Sequence, residues 1–260
     1  MNILEKIVEQ KKIAIAEAKQ IVSEVELQRL WGFRWETLSL KASLSDKNKT
    51  GIIAEFKRRS PSKGVINATA TVADVTKAYA ENGASGLSVL TDSHFFGGSL
   101  DDMRVARKNN IPLLRKDFVI DEYQILEARA HGADAVLLIA ACLTPKRVKE
   151  LTHYAKDLGL EVLLEFYGED ELACFCEEVD MVGINNRNLK NFEVDIENSI
   201  RLLHKLPKDK PAVAESGINN TDVLKQLRSA GFKGFLIGEN FMKNDNPGLA
   251  FKSYVDKLKS

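Results

Sequence analysis

The chain has 260 residues, 44% of them apolar, which is enough to bury a large core in one barrel or two small domains. Basic and acidic side chains balance at 37 each, so no global field gathers nucleic acid or a membrane surface, and any anion must be held locally. The three cysteines, Cys142, Cys174 and Cys176, lack the spacing of a disulfide scaffold, and no apolar stretch approaches a membrane span; a soluble protein of the reducing cytoplasm is expected.

Residues 2–28 carry apolar side chains at Ile3, Leu4, Ile7, Val8, Ala14, Ala18, Ile21, Val22 and Val25, a helical stripe. One or two helices packing on something larger are expected there. Residues 43–50 are polar and turn-rich and lead into the main body, so 1–48 reads as a helical extension of a single domain spanning 1–260.

From residue 51 a short apolar run alternates with a longer amphipathic stretch. The runs are IIAEF (52–56), GLSVL (86–90), IPLLR (111–115), DAVLLIA (134–140), EVLLE (161–165), DMVGIN (180–185), PAVAE (211–215) and GFLIG (234–238). Runs this apolar belong to parallel strands covered on both faces. Between them lie helical patterns such as Val148, Leu151, Ala155 and Leu158, and Thr144 before Pro145 reads as an N-cap followed by proline in the first helical position. Gly83, Gly132, Gly159 and Gly231 fall where left-handed residues end helices. Eight such units in about 210 residues predict an α/β fold, a (β/α)8 TIM barrel with an N-terminal helical extension. A doubly wound open sheet would need a glycine-rich turn after its first strand, and KRRSPSKG (57–64) is not one.

In such a barrel the site lies at the carboxyl ends of the strands. Those ends carry Glu55 and Lys57, Thr91 and Asp92, Lys116 and Asp117, Glu165, Asn185 and Arg187, Glu215 and Ser216, and Gly238 and Glu239. Glu55 and Lys57 lie two apart and so share a face of the first strand, an ion pair suited to a site or to a solvated rim. Singly each group has a bland reading: Lys116 paired with Asp117 on the surface, Glu165 capping a helix, Asn185 satisfying a loop. Together on one ring they indicate chemistry on an anionic small molecule. Ser216–Gly217 and Gly238–Glu239 follow strands seven and eight, where this fold often holds phosphate. Phe96 and Phe118 either wall a pocket for a flat apolar ring or fill the rim. His94, His131, His153 and His204 are scattered, and Cys174 and Cys176 form a lone C-x-C in a predicted helix, where residues two apart do not share a face; no metal is expected.

The segments EFKRRSPSKG (55–64), TDSHFFGGS (91–99), LLRKDF (113–118), GADAVLLI (132–139), GINNRNL (183–189), AESGI (214–218) and FLIGENFM (235–242) resemble the indole-3-glycerol phosphate synthase family of tryptophan biosynthesis, in order and over nearly the whole chain. The resemblance implies a monofunctional lyase that needs no cofactor. It would close the indole ring of 1-(2-carboxyphenylamino)-1-deoxyribulose 5-phosphate with loss of carbon dioxide and water. It implies Lys116 as general acid, Glu165 as base, Lys57 steadied by Glu55 as the second lysine, and Asn185 and Glu215 as positioning groups. Ser60, Arg187 and Leu189 would surround the anthranilate end, with Phe96, Phe118 and Leu137 as its apolar wall. Ser216, Gly217, Gly238 and Glu239 would form the phosphate cup. The expected partner is that small phosphorylated substrate, with no nucleic acid or membrane, and a monomer is expected. At Asn240 and Phe241 the family more often has a small residue and then leucine, so packing beneath the cup is expected to differ. A sister barrel of the phosphoribosylanthranilate isomerase type would need an acid–base pair of aspartate and cysteine, for which Cys142 has no evident partner. A barrel retained for binding alone would have no need of the intact charged set.

Overall fold

The computed structural model describes residues 2–188 and 193–260. The eight apolar runs form parallel strands β1 (Ile52–Phe56), β2 (Gly86–Leu90), β3 (Leu113–Lys116), β4 (Ala135–Ile139), β5 (Glu161–Phe166), β6 (Met181–Asn185), β7 (Ala212–Glu215) and β8 (Gly234–Ile237). Each pairs with its sequence neighbours, and β8 closes on β1 with Leu236 opposite Ile53. The third run starts later than its apolar pattern suggests, because Pro112 has no N–H to give a ladder; the shift brings Lys116 into the strand.

Alternation along the strands divides the core in two. Ile52, Ala54 and Phe56 face outward into the layer between strands and helices, while Ile53 packs inside with Leu114, Leu137, Leu163, Met181, Val213 and Leu236. Helices Val72–Glu81, Leu100–Ala106, Glu122–Ala130, Pro145–Asp157, Ile196–Leu203, Thr221–Ala230 and Pro247–Lys259 cover the barrel after every strand but the fifth. Thr144 caps the helix that Pro145 opens, as its sequence predicts, and Gly159 ends it region at φ +72°. After β5 the chain makes only a 3-10 helix, Glu169–Cys174, so Cys176 lies beyond the helix rather than within one.

The N-terminal segment begins with a helix, Ile3–Ile21, whose first turn is closed by a reciprocal Asn2–Glu5 capping box. A second short helix, Glu24–Gln28, follows a cap at Ser23. The buried face of the first helix is Leu4, Ile7, Lys11 and Ile15, whereas Ile21 is 79% exposed. The apolar stripe therefore runs off the contact surface at its C-terminal end, and a lysine sits inside it. From the mouth of the barrel the segment descends along helix Glu122–Ala130, where the Tyr123 hydroxyl donates to the carbonyls of Ala18 and Val22 at 3.1 and 2.7 Å. Helix Leu40–Ser45 then plugs the floor with Leu40 and Leu44. Gly86 and Gly234 make room for that plug: a Cβ at either would come within 2.6 Å of Leu40 or 3.0 Å of Leu44.

Candidate active site

At the carboxyl end of the strands a cavity of about 390 Å³ opens to solvent. Its lining contains Glu55, Lys57, Ser60, Phe96, Lys116, Phe118, Leu137, Glu165, Asn185, Arg187, Glu215, Ser216, Gly217, Gly238 and Glu239, so the candidates from all over the chain meet in one place. Leu189 lies outside the described residues.

The charged floor follows from strand periodicity. On β1, β3, β5 and β7 the inward positions Ile53, Leu114, Leu163 and Val213 are aliphatic, and two residues further along the same face carries Glu55, Lys116, Glu165 and Glu215. Lys116 and Asp117 consequently point to opposite sides and do not pair. The Lys116 ammonium lies 3.2 Å from Glu165 Oε2 and 3.3 Å from Glu215 Oε2, with 16% of its side chain still open to the cavity. Asn185 Nδ2 donates to the other Glu165 oxygen at 2.8 Å, fixing the carboxylate from both ends. Lys57 and Glu55 form the pair expected of them, 2.7 Å apart. Gly183 is required beneath this group, because a Cβ there would stand 2.6 Å from Glu215 Oε1.

Burial alone would discharge Lys116, but Glu165, Glu215 and Glu55 outweigh it and raise its pKa, so it is an ammonium at neutral pH. Glu215 moves the other way from an ordinary carboxyl: burial and the neighbouring charge of Glu165 exceed the attraction of Lys116 and push it up to about 8. Its Oε1 is buried without a hydrogen-bond partner among the described residues.

The two ends of the cavity differ. On one side Phe96 and Phe118, with ring centroids 6.0 Å apart, stand with Leu137 in an apolar wall. Leu4 and Ile7 of the N-terminal helix complete it, a contribution that the helical stripe alone did not reveal. On the other side Ser216 and Gly217 both adopt positive φ, at 65° and 69°, and Gly238 precedes the short helix Glu239–Met242. Under that helix Phe241 packs edge-on against Tyr79, Phe251 and Tyr254, an aromatic cluster that accounts for phenylalanine at this position. Arg187 spans the rim, 3.4 Å from both Ser62 Oγ and Glu239 Oε2, and Lys63 approaches Glu239 at 3.6 Å.

Cys142 is also near this floor, but burial and then Glu165 and Glu171 push its thiol pKa up, which removes it as an acid–base group.

A sequence model of indole-3-glycerol phosphate synthase matches residues 4–254. The chain belongs to the indole-3-glycerol phosphate synthase family. It is 48% identical over 258 residues to the indole-3-glycerol phosphate synthase of Bacteroides thetaiotaomicron, covering 99% of both chains. It is 43% identical to that of Bordetella pertussis, covering 98% of this chain and 99% of the other. Among solved structures, tryptophan synthase subunit alpha from Legionella pneumophila superimposes with a TM-score of 0.63 over 85% of this chain and 96% of its own, at 14% identity, a likeness of fold. The family is one of carboxy-lyases.

Proposed function

We propose that this chain converts 1-(2-carboxyphenylamino)-1-deoxyribulose 5-phosphate to indole-3-glycerol phosphate, and that the cavity at the strand ends is its active site. The observation that carries the assignment is the Lys116 ammonium held between Glu165 and Glu215 at the foot of an apolar wall. The substrate offers a flat aromatic carboxylate at one end and a phosphate at the other, and the cavity is polarised in the same way.

The ring stacks within the wall of Phe96, Phe118, Leu137, Leu4 and Ile7, with its carboxylate toward Ser60 and Arg187. The phosphate is received by the backbone around Ser216, Gly217, Gly238 and Glu239, where glycine permits close approach. The ring carbon bearing the carboxylate attacks the ketone; a carbon–carbon bond forms, the carbonyl π electrons move to oxygen, and Lys116 gives that oxygen a proton. An ammonium shielded from bulk water both stabilises the developing alkoxide and protonates it. Carbon dioxide then leaves, its bonding electrons returning to the ring system. Loss of the hydroxyl as water is assisted by Lys57, steadied by Glu55, and Glu165 removes the proton whose departure completes the indole. Asn185 and Glu215 hold Glu165 and Lys116 in register for these steps. Free Cys142, Cys174 and Cys176 suit a reducing cytoplasm as the place of work.

The test is to mix the purified chain with the carboxyphenylamino-deoxyribulose phosphate in the presence of a chelator and follow indole fluorescence. Product from the wild type, with turnover lower by at least about a hundredfold in Lys116→Ala, is the expected result. Tight substrate binding with no fluorescence from the wild type would leave a binding module instead, and near-normal turnover in Lys116→Ala would remove that lysine from the mechanism.

A further inference from the structure

Lys11 occupies the middle of an apolar helical face, between Ile7 and Ile15, and is only 7% exposed. Its ammonium lies 2.7 Å from Asp92 Oδ2 and 2.7 Å from Asp117 Oδ1. Asp117 lies at the edge of the cavity and Asp92 outside it, and each is joined to residues that form its wall. The other oxygen of Asp92 accepts from the backbone N–H groups of Phe95 and Phe96 at 2.6 and 3.3 Å, and so fixes the turn that presents Phe96. Asp117 directly follows Lys116 and precedes Phe118, whose N–H it receives at 2.8 Å. It also accepts from the Thr91 hydroxyl at 2.6 Å and from Arg115 at 3.1 Å, and Arg115 in turn reaches Glu127 at 3.2 Å.

We propose that Lys11 is a positioning residue for the reaction: one ammonium, delivered by the N-terminal helix, sets the loop that carries Phe96 and the strand end that carries Lys116 and Phe118 against each other. The same helix supplies Leu4 and Ile7 to the wall, so docking of the helix and assembly of the ring-binding half of the site are a single event. A buried ion triad is a poor device for stability alone, since apolar replacements of similar volume are often neutral or better. It does hold several segments in one geometry, and a displacement of about 1 Å at a reacting centre can cost on the order of a hundredfold in rate.

This inference rests on the function proposed above, and the experiment separates the two. Lys11→Met keeps length and apolar character and removes the charge; Lys11→Arg restores the charge. Lys19→Ala is the control, because Lys19 ties the same helix to Asp121 at 2.8 Å on the outer side, away from the cavity. Steady-state kinetics and thermal unfolding are measured on all three, with calorimetric binding of the carbinol obtained by reducing the substrate ketone. For Lys11→Met the expectation is a folded protein with kcat lower by about tenfold or more and a raised KM. Lys11→Arg recovers part of the loss, and Lys19→Ala changes the melting temperature but neither constant. Wild-type kcat and KM in Lys11→Met, or an equal loss in Lys19→Ala, would overturn the proposal. Should Lys11→Met fail to fold, Asp92→Asn keeps the cap acceptor while weakening the tie; a kcat/KM several-fold lower supports the proposal and an unchanged one overturns it. A wild type without turnover overturns the function instead, and the carbinol affinity then decides on Lys11: a weaker value in Lys11→Met alone supports its role, while equal affinities, or no binding by any of the proteins, overturn it.

Discussion

Three carboxylates, Glu55, Glu165 and Glu215, face two ammonium groups, Lys57 and Lys116, around one small floor. Such a set is short of one positive charge, and the most buried carboxyl holds a proton to make up the difference. The Glu215 pKa of about 8 is a statement about stability as well as about the site. Between its ordinary value of 4.5 and about 8 the folded chain keeps a proton that the unfolded chain has released, so this group makes stability fall as pH rises through that window. Glu215→Gln has no such proton to lose. Urea unfolding near pH 5 and near pH 8 is expected to show a smaller decline for the variant than for the wild type. Parallel declines in the two proteins would mean that Glu215 ionises in the ordinary carboxyl range. Gly183, directly across the ladder from Glu165, belongs to the same arrangement, since its missing side chain is the space in which the Glu215 carboxyl lies.

At the level of the element, the two-residue period of a strand made much of the site legible. It put Glu55 and Lys57 on one face, and it gathered the end of every second residue at one mouth. Short apolar runs marked all eight strands because strands covered on both faces have no polar side to show. The helix expected around Cys174 and Cys176 does not form, because the segment after the fifth strand makes a 3-10 helix, Glu169–Cys174, opening on Glu169, Asp170 and Glu171, and not the amphipathic helix of the other units. Nor was the part played by Leu4, Ile7 and Lys11 legible, for a helical stripe tells which face is buried but not against what. Gly238 shows a third limit. It reads as a glycine for phosphate approach, yet its φ is −125°, and a Cβ there would stand 2.5 Å from Glu55 Oε1 and 2.9 Å from Glu55 Cβ. Gly238→Val therefore drives the Glu55 carboxylate off Lys57 as well as crowding the cup. Affinity for inorganic phosphate and turnover should fall together, with Gly238→Ala showing the same pattern in milder form. A variant that lost phosphate affinity and kept wild-type kcat would show that Glu55 moves aside without consequence.

Across the whole molecule the N-terminal segment runs from the mouth, where Leu4 and Ile7 meet Phe118, to the floor, where Leu40 and Leu44 close the barrel from below. Both tryptophans of the chain, Trp31 and Trp35, lie on this path, with ring centroids 5.2 Å apart and Arg107 stacked 5.5 Å over Trp35. Their fluorescence thus reports how the segment sits on the barrel. The charge that ties its upper end is Lys11, and one of the two carboxylates it faces, Asp117, is depressed: burial would raise the Asp117 pKa, but Lys11 and Arg115 bring it down to about 2. A depressed carboxyl contributes stability that is present above its unfolded pKa, near 3.8, and is lost as pH falls through about 2. Removing the Lys11 charge takes away the first of the two cations, so the Asp117 pKa rises and its contribution is lost at higher pH. In an acid titration followed by tryptophan emission, the transition of Lys11→Met is expected at higher pH than that of the wild type. Lys19→Ala, whose charge faces Asp121 on the outside, should leave that midpoint where it is. Coincident transitions for wild type and Lys11→Met would mean that Arg115 alone sets the ionisation of Asp117, and that the helix is held to the barrel by its apolar contacts.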